Sequence, residues 1–132
     1  SRLNAFVAYK VHIYNTYKHY LSDCKHISFQ KEESGAFFHS YWLVCIKVSN
    51  KKYTKSLIEF LKKNGIDART SFYPLSSTPI FKKYYKGNLN KISSEIFSKV
   101  ISLPSSVTLS KSQILKVCNN IKDFFDTIKK AN

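Results

Sequence analysis

The strongest constraint in this sequence is an apolar stripe close to its C-terminal end. Apolar residues recur there every three or four positions, at Ile114, Val117, Cys118, Ile121, Phe124, Phe125 and Ile128. This spacing places them on one face of an α-helix. Ser110 and Gln113 precede the stripe at the separation of a capping box, which marks the start of the helix. The rest of the chain must therefore cover one side of a long C-terminal helix.

Upstream patterns predict a second helix and two strands. From Leu3 to Leu21 the chain contains neither Gly nor Pro, and large side chains recur at helical spacing. These side chains are Phe6, Tyr9, Ile13, Tyr17 and Tyr20. His26 to Phe29 predicts a short strand, and Tyr41 to Val48, rich in aromatic and β-branched residues, predicts a longer one.

The middle of the chain predicts a helix followed by extended structure. Ser49 or Asn50 can cap this helix, whose apolar stripe is Leu57, Ile58 and Leu61, and Asn64-Gly65 supplies a left-handed stop. Residues 66–73 are predicted to be extended, and residues 74–79 to form an irregular loop. Thr78 and Pro79 suit the start of a short helix that runs through Tyr85.

A helix over Ser93 to Val100 and a short extended segment over Ile101 to Pro104 complete the pattern. The chain has 132 residues and no repeat, low-complexity tract or Gly/Ser-rich linker. We therefore predict one α+β domain spanning residues 1–132.

The formal net charge of +14 raises the question of an anionic partner. Only Arg2 and Arg69 are arginine, and the lysines are scattered along the chain rather than grouped. Recognition of bases and phosphates relies on the planar arginine fork, which is nearly absent here. The composition favours a lysine-covered surface, and a free-standing basic domain that binds nucleic acid or an acidic protein stays open as the alternative.

Cysteine usage and hydropathy bear on the compartment. Cys24, Cys45 and Cys118 are far apart and form no C-x-x-C motif, which indicates reduced thiols in the cytoplasm. The sequence has no apolar run long enough to span a bilayer and no signal-peptide pattern at its N-terminus. We expect a cytoplasmic protein with no membrane partner.

Three histidines at intervals of seven, His12, His19 and His26, invite a metal interpretation. Seven residues correspond to two helical turns, about 10 Å, which is too far for two imidazoles to share one ion. We predict no metal site. The sequence also shows no Gly-rich phosphate loop.

Four segments, taken in order, resemble a known family. They are His39–Val48, Leu57–Asp67, Gly65–Pro79 (G-I-D-A-R-T-S-F-Y-P-L-S-S-T-P), and Ile101–Pro104 with Leu109–Ile114. Their spacing is similar to that in the small domain of the DegT/DnrJ/EryC1/StrS sugar aminotransferases, and the third segment resembles the perosamine-synthase-like branch. The resemblance implies a small antiparallel sheet packed by helices and ending in a long C-terminal helix.

The same resemblance implies an activity. Enzymes of this family use pyridoxal phosphate to place an amino group, with glutamate as the expected donor, on a keto-sugar nucleotide. Transamination needs a lysine that forms an imine with the cofactor. The resemblance places that lysine in a large domain that this chain lacks. We therefore predict no catalytic or cofactor-binding residue here, an inactive isolated chain, and partners consisting of the large domain and a second subunit.

The resemblance also nominates residues that bind substrate. Arg69 suits a bidentate contact with the diphosphate of a nucleotide sugar. Phe72, Tyr73 and Ser76 would shape the pocket on the sugar side. A surface ion pair for Arg69, and ordinary core packing for Phe72 and Tyr73, are the alternatives.

Overall fold

Four short strands form one antiparallel sheet in the computed structural model, which describes residues 2–30, 39–84 and 91–130. The strands are β1 (Ile27–Phe29), β2 (Val44–Val48), β3 (Arg69–Thr70) and β4 (Val100–Leu103), in the order β1-β2-β4-β3. Ile46 lies opposite Phe29 on one side and opposite Ile101 on the other. The small antiparallel sheet and the α+β class are confirmed.

Helices connect and follow these strands. They are α1 (Arg2–Tyr20), α2 (Lys52–Lys63), a 3₁₀ turn (Leu75–Ser77), α3 (Pro79–Lys82), α4 (Lys91–Lys99) and α5 (Lys111–Lys130). The long first and last helices match the predicted ranges closely. Helix α4 begins two residues before the predicted Ser93 and ends one residue before the predicted Val100.

The core lies on one face of the sheet. Val44, Ile46 and Val48 alternate along β2 and are all fully buried. The apolar stripes of α2 and α5 pack in the same cluster, together with Ile13, Tyr14 and Tyr17 of α1. Burying an aliphatic or aromatic side chain of this size contributes about 1.5–3 kcal/mol. This face of the sheet therefore provides most of the stabilisation.

Helix ends follow the predicted chemistry. The Ser110 backbone N–H donates to Gln113 Oε1 at 2.8 Å, and the Gln113 N–H donates to Ser110 Oγ at 3.2 Å, which is a reciprocal capping box. At the start of α2, Asn50 Oδ1 accepts a hydrogen bond from the Lys52 N–H at 3.0 Å. Of the two predicted capping residues, Ser49 and Asn50, it is thus Asn50 whose side chain accepts a hydrogen bond from the first turn of the helix.

Helix α2 stops at a left-handed glycine. Gly65 has φ +73°, and its N–H donates to the Lys62 carbonyl at 3.0 Å. The next N–H, that of Ile66, donates to the Leu61 carbonyl at 2.9 Å. Leu61 and Ile66 are both buried, so the hydrogen bonds and the apolar contact of a Schellman motif coincide. The predicted stop is confirmed.

Two local predictions were wrong. Strand β2 begins at Val44 rather than Tyr41, because Tyr41 has φ +48° and so leaves extended geometry. Residues 74–79 are not wholly irregular, since Leu75–Ser77 form a 3₁₀ turn in which the Ser77 N–H donates to the Pro74 carbonyl. Of the predicted extended stretch at 66–73, only Arg69 and Thr70 pair in the sheet.

The predicted short helix is present with Pro79 as its first residue, and it ends at Lys82. The predicted end, Tyr85, lies outside the described residues. Within the described ranges, no helix combines the length and the apolar character that crossing a membrane requires.

Candidate functional site

Arg69 lies on the edge strand β3 with its side chain in solvent. Its Nε and Nη2 atoms donate to the two carboxylate oxygens of Asp67, at 3.2 and 2.8 Å. The side chains of both residues are more than two-thirds exposed. Hydrogen bonding to Arg69 lowers the pKa of Asp67 below its ordinary value. The guanidinium therefore already holds one carboxylate in a bidentate pair, and an anionic ligand would have to exchange with it or share it.

The register of the sheet decides which face Arg69 occupies. Arg69 lies opposite Ser102 on β4, and Ser102 lies opposite Cys45 on β2. Opposed residues of an antiparallel pair project to the same side. Cys45 Sγ is 3.5 Å from Ser102 Oγ, which confirms that these two share a face. Arg69 therefore belongs to the side of the sheet opposite the buried row of Val44 and Ile46.

Phe72 is exposed to solvent, with 71% of its surface accessible. Its ring stacks on Trp42, with centroids 6.1 Å apart and planes 17° from parallel. Trp42 is itself 66% exposed. Two large rings that face solvent while stacking on each other form an apolar surface that a flat ligand or another polypeptide could contact.

The main chain at Trp42 is fixed by a lysine of α1. Lys10 Nζ donates to the Trp42 carbonyl at 2.9 Å and also to the Ser105 carbonyl. Partial burial of this ammonium lowers the pKa of Lys10. Sequence reasoning missed Trp42 because alternation along a strand from Tyr41 would have placed it in the core beside Val44.

Tyr73 and Ser76 differ in their surroundings. The Tyr73 ring is about half exposed and meets Phe97 of α4 edge-on, with centroids 5.1 Å apart. Ser76 is buried within the 3₁₀ turn. Arg69, Phe72 and Tyr73 thus contact three different neighbours, which are Asp67, Trp42 and Phe97 respectively. Their predicted role in binding substrate stays a prediction.

Apolar side chains in solvent continue past Tyr73. We call residues 72–84 the aromatic segment, and its exposed large side chains are Phe72, Tyr73, Leu75, Ile80, Phe81 and Tyr84. Soluble domains rarely expose so many large apolar side chains within one short stretch unless something contacts them. The aromatic segment contains three of the four predicted substrate residues, so it is the candidate site of this chain.

A groove between α2 and α4 is a second concave feature. It encloses about 520 Å³ and is lined by Lys51, Thr54, Lys55, Ile58, Glu59, Lys62, Thr70, Phe97 and Ser98. Thr54 Oγ1 donates to the Ser98 carbonyl at 2.7 Å, which joins the two walls. No predicted substrate residue lines this groove.

The surroundings of the described lysines decide whether this part of the chain fits pyridoxal phosphate. An imine-forming lysine should lie in an enclosed pocket with an acid placed for the pyridine nitrogen. Among the described lysines only Lys10, Lys99 and Lys122 are even partly buried. Lys10 is bound to main-chain carbonyls, and the other two pair with Glu95 and Asp23. The described part of the chain therefore does not fit this cofactor.

The surroundings of His26 and of Cys118 indicate structural roles for both side chains. His26 stacks on Phe125 with centroids 4.7 Å apart, and it meets Tyr53 edge-on. Burial raises the pKa of the Cys118 thiol to about 11, so this cysteine is a poor nucleophile. Within residues 2–30, 39–84 and 91–130 no three His, Cys, Asp or Glu side chains group as metal ligands would.

The fold is similar to part of a solved aminotransferase. It superimposes on part of the aminotransferase TlmJ from Streptoalloteichus hindustanus with a TM-score of 0.87, covering 96% of this chain and 34% of that one at 17% identity. The architecture is therefore one that also occurs as part of this aminotransferase.

Sequence then gives the family. The profile of the DegT/DnrJ/EryC1/StrS aminotransferase family matches residues 1–122, and the chain belongs to that family. It is 32% identical over 99 residues to the GDP-perosamine synthase of Vibrio cholerae, covering 74% of this chain and 27% of the relative. It is 28% identical over 120 residues to the enzyme of the same name from Escherichia coli O157:H7, covering 91% and 32%. The chain thus spans about a third or less of the length of these relatives.

Proposed function

We propose that this chain is the C-terminal small domain of a pyridoxal-phosphate-dependent aminotransferase acting on a keto-sugar nucleotide in the cytoplasm. In the complete reaction the amino group of glutamate replaces the keto oxygen of the sugar, and glutamate leaves as 2-oxoglutarate. The product is a 4-amino-4,6-dideoxy sugar linked to its nucleotide. The observation that carries the proposal is the family match over residues 1–122, together with two relatives named as GDP-perosamine synthases.

In this proposal the chain contributes to the wall of the substrate site rather than to the chemistry. Arg69 would bind the diphosphate, exchanging with or sharing the carboxylate of Asp67, and Phe72 and Tyr73 would contact the sugar. Ser76 would act through its place in the 3₁₀ turn that orients this segment. The cofactor and its lysine would come from a large domain, and a second subunit would complete each active site.

The role of Arg69 in binding substrate can be tested by measuring the binding of GDP-perosamine to the chain with ligand-observed NMR. Arg69→Ala should weaken binding about tenfold, because it removes a charge-assisted bidentate contact. Arg2→Ala is the matched control, since Arg2 is the only other arginine and lies on α1. Equal binding by the wild type and Arg69→Ala would rule out this role. Displacement of the ligand by a short oligonucleotide would favour the basic-domain alternative.

Cofactor trapping tests the second half of the proposal. The chain is incubated with pyridoxal phosphate, reduced with borohydride, and mapped by mass spectrometry. We expect only scattered adducts on surface lysines, because the described lysines offer no enclosed site. A stoichiometric adduct on a single lysine would show that the chain has its own cofactor site and would overturn the small-domain assignment.

A further inference from the structure

One row of residues runs along the α2 wall of the groove between α2 and α4. Its members are Lys51, Lys55, Ile58 and Lys62, which all line the groove. They are spaced at i, i+4, i+7 and i+11, and Lys51 has helical dihedral angles just before α2, so the four lie on one face of the helix. The three lysines are exposed, whereas Ile58 is partly buried. We call these four residues the lysine row.

Phe97 of α4 supplies the apolar part of the opposite wall. Its ring is partly buried and lies edge-on to Tyr73, with centroids 5.1 Å apart. The two walls are joined, because Thr54 Oγ1 donates to the Ser98 carbonyl at 2.7 Å. The volume of about 520 Å³ falls in the range of about 300–1,000 Å³ that is usual for ligand sites. The groove can therefore accept a large apolar side chain between its walls.

The groove carries a positive charge. Three of the charged residues that line it are the lysines of the row, and the fourth is Glu59. Glu59 lies 3.9 Å from Lys55, and both side chains are more than half exposed, so this ion pair is weak. A neighbouring concavity shares Lys51, and its carboxylate, that of Glu95, already pairs with Lys99 at 3.1 Å. The field along the groove therefore favours an anionic partner.

The kind of anion follows from the charges that line the groove. Among the described residues no arginine lines it, and arginine is the residue that matches phosphate geometry with two parallel hydrogen bonds. A continuous phosphate backbone would also meet the carboxylates of Glu59 and Glu95, whereas separate carboxylates can be placed opposite the lysines alone. A second copy of this chain, with a net charge of +14, would bring like charges together.

The spacing of the lysine row is close to that of an extended peptide. Measured from Lys51 along the helix axis, the next three members lie about 6, 10.5 and 16.5 Å away. Side chains on one side of an extended peptide recur about every 6.6 Å, so four of them lie at about 0, 6.6, 13 and 20 Å. The flexible lysine side chains can absorb differences of about 3 Å.

We propose that the groove between α2 and α4 binds an acidic peptide segment of a partner protein. Two carboxylates, an apolar side chain and a third carboxylate occupy alternate positions of this extended segment. The carboxylates pair with the three lysines of the row, and the apolar side chain packs against Ile58 and Phe97. The proposal is independent of the predicted role of Arg69, since no predicted substrate residue lines this groove.

Fluorescence anisotropy of a labelled heptapeptide, E-S-E-S-F-S-E, tests the proposal on the full 132-residue chain. We expect saturable binding that weakens at high salt. Combining Lys51→Gln, Lys55→Gln and Lys62→Gln should weaken binding about tenfold, because three exposed ion pairs are lost together. Replacing the phenylalanine of the peptide by serine should weaken binding about as much, because it removes the apolar anchor.

The matched control combines Lys25→Gln, Lys116→Gln and Lys130→Gln. These lysines are also exposed, they do not line the groove, and their replacement removes the same charge. The control should change binding by less than about twofold, since charges far from the groove are screened by salt. A permuted peptide, E-E-E-S-S-S-F, should bind more weakly than the original, because its groups are out of register. Circular dichroism verifies that every variant is folded.

Four outcomes would overturn the proposal. The first is the absence of saturable binding of the heptapeptide. The second and third are equal losses from the two triple variants and equal binding of the permuted peptide, because either would mean that the chain attracts anions by its net charge alone. The fourth is tighter binding of a tetranucleotide that is lost in the groove variant, which would make nucleic acid the occupant.

Discussion

The helix-covered face of the sheet and the aromatic segment are both rich in large apolar side chains, but the side chains are buried in the first region and exposed in the second. Ile46, Ile101 and Ile121 are fully buried on the covered face, whereas Phe72, Ile80 and Tyr84 of the aromatic segment are each about 70% exposed. Side chains of the first kind stabilise the fold. Those of the second kind add little to it by burial, and the proposed function gives them a role in contacts with another molecule.

The largest expected effect is on stability, from the same substitution in each region. Ile121→Ala removes a fully buried side chain and should lower the free energy of unfolding by about 2–5 kcal/mol. Ile80→Ala removes a side chain that is 71% exposed and should change it by about 0.5 kcal/mol or less. Urea unfolding followed by circular dichroism measures both.

Equal destabilisation by Ile80→Ala and Ile121→Ala would contradict the contrast between a buried face and an exposed segment. That result would mean that the aromatic segment is buried in solution, for example by self-association. Repeating the Ile80→Ala measurement at several protein concentrations separates the two cases, because stabilisation by association depends on concentration.

A smaller effect is expected from the buried hydroxyl that joins β2 to the end of β4. Ser105 Oγ accepts the Val44 N–H at 2.8 Å and donates to the Leu103 carbonyl at 2.7 Å. Ser105→Ala leaves the Val44 N–H without this acceptor and should cost about 1–3 kcal/mol of unfolding free energy. The same urea titration measures it.

Ser56→Ala is the control for that change. Ser56 is exposed on α2, where its hydroxyl donates to the Lys52 carbonyl at 3.3 Å. Alanine is the better helix former, so this variant should be neutral or slightly more stable. Equal losses for both serines would contradict a special role for Ser105.

The smallest effect concerns pH. Hydrogen bonding to Lys122 lowers the pKa of Asp23 below its ordinary value of 3.8, as Arg69 does for Asp67. A carboxyl whose pKa is lowered on folding stabilises the protein above its ordinary pKa, and this contribution disappears as the pH falls through the lowered value. Stability should therefore decrease below about pH 4, as thermal unfolding at a series of pH values would show.

The two aspartates should contribute unequally to that decrease. Asp23 pairs with a residue 99 positions away on α5, whereas Asp67 pairs with a residue two positions away and can do so in the unfolded chain. Asp23→Asn should therefore flatten the acid profile more than Asp67→Asn. The reverse order would indicate that the exposed ion pair at Arg69 stabilises the fold.

Sequence reasoning worked best where a local pattern and its burial agree. The capping box at Ser110 and the left-handed stop at Gly65 were both predictable, because each depends on a few neighbouring residues. The start of β2 was not, because the positive φ of Tyr41 accompanies a stack of its ring on Tyr14 of α1 at 3.9 Å. A contact between elements so far apart in sequence leaves no signal in the local pattern.

The candidate site was predictable only in part. The motif from Gly65 to Pro79 identified the segment, and the structure places Arg69 and Phe72 at its surface. A surface ion pair was the stated alternative for Arg69 and is present, but its partner Asp67 and the stack of Phe72 on Trp42 were not predicted, because a motif does not specify which neighbours its residues contact. The exposure of the aromatic segment also depends on what the rest of the fold leaves uncovered.

The glycine at the end of α2 has a consequence for the arginine that follows it. Gly65 fixes the point at which the chain leaves the helix, and Arg69 enters the sheet four positions later. Successive residues of a strand project to opposite sides, so one inserted residue between them would turn the guanidinium toward the helices. The side of the sheet on which Arg69 lies therefore depends on the number of residues between Gly65 and Arg69. Inserting or deleting one residue there would change that side without substituting any side chain.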